Sequence, residues 1–99
     1  MNLIKSIDLE LKYLRAMAAF KKCIFDDENK FLEDEITVSL ESIIPKEEFV
    51  CIKLSGFDKD TFQIETTILL LSSHGEKLGR YTLVEDQSGS VVDDFLVFH

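Results

Sequence analysis

Three strand-like runs in succession fill the last third of this chain, Thr61 to His99, and leave little choice about what it folds around. Thr61-Phe-Gln-Ile-Glu-Thr-Thr-Ile-Leu-Leu-Leu-Ser-Ser73 is rich in β-branched and apolar residues and stops at His74-Gly75. Leu78 to Glu85 is a second run, Asp86-Gln-Ser-Gly89 has turn chemistry, and Val91 to Phe98 is a third. Runs of this kind joined by short polar turns predict an antiparallel meander.

Upstream of it, Ser6 to Phe25 reads as a helix. Leu, Glu, Lys, Arg, Met and Ala dominate, and no turn residue divides the run. Ile7, Leu11, Leu14, Ala18 and Phe25 recur on one helical face, with Tyr13, Met17, Phe20 and Ile24 beside them, the wide apolar arc of a helix lying on a sheet. Ser6 or Asp8 can cap its start, and Lys21 and Lys22 suit its C-terminus. Ile7 to Tyr13 also alternates with period two, so a short strand before a helix starting near Leu14 is the competing assignment.

Asp26 to Lys30 is a predicted loop. Its acids miss a calcium-loop pattern, because the fifth and sixth places fall on Lys30 and Phe31. Glu35 to Glu41 alternates as a strand with Ile36, Val38 and Leu40 on one face, and Pro45 ends the segment after it. Glu48 to Ser55 is the next strand, its Val50, Ile52 and Leu54 turned toward the helix. One domain of the α+β class follows: an N-terminal helix on a mainly antiparallel sheet of about five strands. Its second face is expected to carry Phe49, Cys51, Leu69, Leu71, Tyr81, Phe95 and Val97, too apolar for a face meant only for water.

Charge narrows the partners. The chain holds 19 acids and 11 bases, a net of −8. Residues 1–25 are +3 and the remaining 74 are −11, so a basic element is attached to an acidic sheet. Such a field repels nucleic acid and anionic membranes and speeds encounter with a basic protein. Cys23 and Cys51 are expected to be two buried, reduced thiols. The N-terminus acquires acids before an apolar core of a signal peptide can form, and the longest pure apolar run is Ile68 to Leu71. A cytoplasmic location is expected.

Chemistry is sparse. His74 lies beside Gly75 and His99 is at the end of the sequence, neither with metal-motif spacing, and no nucleophile elbow, P-loop or Cys-x-x-Cys is present. Glu85-Asp86 and Asp93-Asp94 flank one turn, but adjacent strand residues point to opposite faces, so neither pair is an acid/base dyad. No enzymatic role and no cofactor are expected. The acids serve better as a contact surface, in which Glu33, Asp34, Glu35, Asp58, Asp60, Glu85, Asp86, Asp93 and Asp94 imitate nucleic-acid phosphates and Phe57, Tyr81 or Phe95 supplies an exposed anchor.

The small acidic α+β layout and the ending Leu78-Gly-Arg-Tyr-Thr-Leu-Val-Glu-Asp-Gln-Ser-Gly-Ser-Val-Val-Asp-Asp-Phe-Leu-Val-Phe98 resemble immunity proteins of bacterial polymorphic-toxin and contact-dependent growth-inhibition systems. The resemblance covers about a fifth of the chain. It implies a non-catalytic antidote that binds one cognate toxin domain, often a nuclease. The competing expectation is a structural or adaptor domain that homo-oligomerises through the second sheet face.

Overall fold

The computed structural model describes residues 8–26, 39–54 and 61–99. One helix, α1 (Leu9–Ile24), and four strands, β1 (Ile44–Leu54), β2 (Phe62–Leu71), β3 (Lys77–Asp86) and β4 (Val91–Phe98), make up the regular structure there. The strands form one antiparallel sheet in the order β1-β2-β3-β4. The chain thus has the α+β architecture read from its sequence, with four strands among the described residues where about five were expected.

The fifth strand expected from the sequence is Glu35 to Glu41. Its second half is instead extended at Ser39 and then a 3-10 turn, Leu40–Ser42, closed by Ser42 N–H donating to the Ser39 carbonyl at 3.1 Å. Residues 35–38 lie outside the described residues. Leu40 and Ile43 bury themselves in the core from this turn. Pro45 does not end the strand; it sits second in β1, at the sheet edge, where a missing amide is tolerated.

α1 starts at Asp8, whose side chain accepts from Leu11 N–H at 3.1 Å, and Lys21 and Lys22 fall in its last turn. Within the described residues, Leu9 to Tyr13 is therefore helical, not a strand. The buried stripe is Ala16, Phe20 and Ile24 with Tyr13, Met17 and Ala19 at its flanks. Leu11, Leu14, Ala18 and Phe25, expected at the centre of the arc, are exposed. The i, i+4 series from Ala16 carries one large aromatic, Phe20, that fits over the sheet, and docking it turns the leucines away.

The helix packs over β2 and β3 and touches β1 more lightly. Under it lie Ile68 and Leu70 of β2 and Tyr81 and Leu83 of β3, with Phe20 and Tyr81 ring centroids 5.7 Å apart and tilted by 55°. Tyr81 shares a face with Leu83 because the two are two residues apart; its assignment to the open face is corrected. Gly79 is required at the β3–β4 crossing, where a Cβ would collide with the Val97 backbone carbonyl.

Candidate partner-binding surface

Several acids of the sheet are already neutralised by cations of the chain itself. Glu85 is fully buried on the helix side of β3. Lys12 Nζ donates to its Oε1 at 3.4 Å, and Arg15 Nη2 stands 2.7 Å from its Oε2 in an ion pair outside hydrogen-bond geometry. The same Nη2 donates to the Gly89 carbonyl at 2.6 Å. One helical turn of cations thus ties the first half of α1 to the strand and turn that follow Leu83. Glu85 is an internal counter-ion and not a contact residue, a correction to its expected role. A buried carboxylate is tolerated only with such partners.

Other acids are consumed nearby. Arg80 forks onto Glu48 with contacts of 2.8 and 2.9 Å, which holds the Glu48 carboxyl below the usual range. Lys53 pairs with Glu65 at 2.6 Å. Asp86 organises its own turn: Oδ1 accepts from Ser88 Oγ, Ser88 N–H and Ser90 N–H at 2.6, 2.9 and 3.0 Å. These bonds, Ser88's hydroxyl foremost, lower its pKa. Gly89 takes φ +88°, the left-handed value that closes this hairpin.

Asp93 and Asp94 are exposed and engage no cation among the described residues. Asp94 Oδ2 accepts from the Tyr81 hydroxyl at 2.9 Å, and Asp93 Oδ1 accepts from Asp94 N–H at 2.8 Å. Burial, and then the Asp94 carboxylate, push the Tyr81 phenol up. Tyr81 is 1% exposed, so it supports Asp94 from below and is no exposed anchor; that expectation is corrected. The two acid pairs do not face each other across the turn either. Asp94 is opposite Leu83 and Asp93 opposite Val84, while Glu85 meets Val91, because Val92 is bulged out of register.

Because α1 covers β2 and β3, a groove of about 530 Å³ opens between its C-terminal half and β4. Tyr81 and Leu83 floor it; Ala19, Lys22, Cys23 and Asp26 form one wall, and Val91 to Asp94 the other. Burial raises the Cys23 thiol pKa first, with Asp94 and Asp26 adding to it, which keeps it protonated and a poor nucleophile. Cys23 is only half-buried, and Cys51 is exposed on the open face of β1, against the expectation that both are buried. No group of three or more His, Cys, Asp or Glu among the described residues could hold a metal.

On the sheet's other face, Phe49 of β1 and Phe95 of β4 flank Thr67 and Thr82, whose hydroxyls bond at 2.9 Å. Phe49, Phe95 and Val97 are each about half exposed. Glu33, Asp34, Glu35, Phe57, Asp58 and Asp60 lie outside the described residues. No described helix is long and apolar enough to cross a membrane. No family model matches the chain, and no curated protein or solved structure matches it at a significant level.

Proposed function

We propose that this chain is a non-enzymatic immunity protein that acts in the cytoplasm by binding a cognate basic toxin domain, a bacterial nuclease being the class its charge suits. The observation that carries this reading is the uneven fate of the acids. Glu85, Glu48 and Glu65 are matched by cations of the chain itself, whereas Asp93 and Asp94 are presented beside exposed Val91 and Val92. Negative charge at a groove rim with apolar neighbours suits a basic protein surface, which gains both a steered encounter and some apolar burial. Direct binding of nucleic acid is disfavoured by the same charge.

A low-salt pull-down from host lysate, eluted with a salt gradient, tests it. The expected product is a basic domain whose toxicity disappears when the chain is added back. Its association rate should fall steeply with salt and drop further in Asp93→Asn and Asp94→Asn. A partner whose association ignores both salt and these substitutions refutes the electrostatic contact.

A second reading is favoured by the half-exposed Phe49, Phe95 and Val97 on the open face: a structural or adaptor domain that self-associates. There the acids serve solubility, and self-association is indifferent to salt.

A further inference from the structure

The two edges of the sheet are built differently. β1 carries Pro45, which has no amide to offer, an irregularity between Glu47 and Phe49, and the lysines Lys46 and Lys53. These are devices that keep an edge from pairing. β4 keeps an unbroken register with β3 from Asp93 to Phe98, and among the described residues no strand lies on its outer side. Val91, Val92, Phe95 and Val97 are each about half exposed along it.

The direction of its backbone groups can be read from one bond. His99 N–H donates inward to the Leu78 carbonyl at 2.9 Å. Alternation along an antiparallel ladder then turns the N–H and C=O groups of Asp94, Leu96 and Phe98 outward. The Asp94 N–H is met by the Asp93 carboxylate; Leu96 and Phe98 present theirs at the edge.

We propose that β4 pairs antiparallel with β4 of a second copy about a two-fold axis at Leu96. This deepens the self-association reading and moves its contact from the sheet face to the sheet edge. Side-chain complementarity selects the register, because an imidazole N–H can donate to a carboxylate. With Leu96 opposite the partner's Leu96, Asp93 falls opposite the partner's His99, and Phe95 opposite the partner's Val97, each twice by symmetry. The outward groups of Leu96 exchange two hydrogen bonds, and those of Phe98 meet those of the partner's Asp94. Centring the pair on Asp94 would set aspartate against aspartate, and centring it on Phe95 would set Asp93 against valine. The product is one continuous sheet with four strands from each copy, both helices on one face and both apolar open faces on the other.

Sedimentation velocity of the full chain over a concentration series tests this, together with a charge exchange on exposed side chains. Asp93→Lys and His99→Asp should each weaken the dimer by roughly tenfold, because either one removes both symmetry-related pairs. The double variant, which restores the pairing with signs reversed, should recover most of the affinity. Phe49→Lys, on the distant β1, should leave it intact. Amide exchange should slow at Leu96 and Phe98 as concentration rises. A chain that stays monomeric at about 1 mM overturns both the edge dimer and the self-association reading. A dimer lost in Phe49→Lys but blind to the charge exchange overturns the edge alone, and protection of Leu96 and Phe98 only when another protein is added overturns self-pairing in favour of a foreign strand.

Discussion

The two faces of this sheet are made from similar residues and do different things. Under α1, Ile68, Leu70, Tyr81 and Leu83 are at most 2% exposed. Across the sheet, Phe95 and Val97, which pair with Thr82 and Arg80 in the β3–β4 ladder, are 50% and 54% exposed. Apolar composition therefore does not say where stability resides. α1 covers the middle of one face, and that coverage converts apolar side chains into a core there and leaves them as available surface elsewhere.

Substitutions can break this contrast, beginning where it is greatest. Phe20→Ala, which removes the aromatic that joins α1 to Tyr81, should cost about 3–5 kcal/mol of unfolding free energy in a urea titration. A loss under about 1 kcal/mol would mean that the helix is not what closes the core. Arg15→Ala leaves Glu85 buried with only Lys12 at 3.4 Å; a loss of about 2–3 kcal/mol is expected, and replacing Glu85 by Leu in the same background should recover part of it. Thr66→Val sharpens the comparison in the opposite direction. Thr66 is wholly buried on the helix side and its Oγ1 has no hydrogen-bond partner, so the isosteric change should raise stability by about 1 kcal/mol. Phe49→Thr, on the open face, should change it by less than about 0.5 kcal/mol while reducing binding of a hydrophobic dye; a large destabilisation would show that the open face carries part of the core.

The meander was legible because alternation and turn chemistry agree in residues 61–98: β2, β3 and β4 lie within a few residues of the runs read from them. The helix was legible by composition, but its buried face was not. Leu11 and Leu14 are more hydrophobic than Ala16, and only the fit of Phe20 beside Tyr81 reverses their ranking. Leu40 misled for a related reason, since a buried leucine in a 3-10 turn satisfies the same alternation as one in a strand. The side of Tyr81 is legible, since strand parity alone puts it with Leu83. Glu85 was legible only in retrospect. A carboxylate beside a turn is ordinarily solvated, and the hint of its burial is Lys12 and Arg15 at a three-residue helical spacing, with Asp8 four residues from Lys12 and no acid three or four residues from Arg15. The groove itself left no trace in the sequence, because it arises from where the helix stops covering the sheet.

The link from Arg15 to Glu85 and Gly89 also governs the order in which the molecule can be completed. The guanidinium and the turn carbonyl that it grips are 74 positions apart. During synthesis α1 leaves the ribosome well before its anchor, which follows 74 positions later. Until then the helix carries an apolar stripe and two cations with nowhere to dock. Closing this contact is a long-range event, which slows folding relative to a chain whose contacts are local. A chain released from the ribosome before Gly89 would therefore carry β1 to β3 with its helix still unmoored.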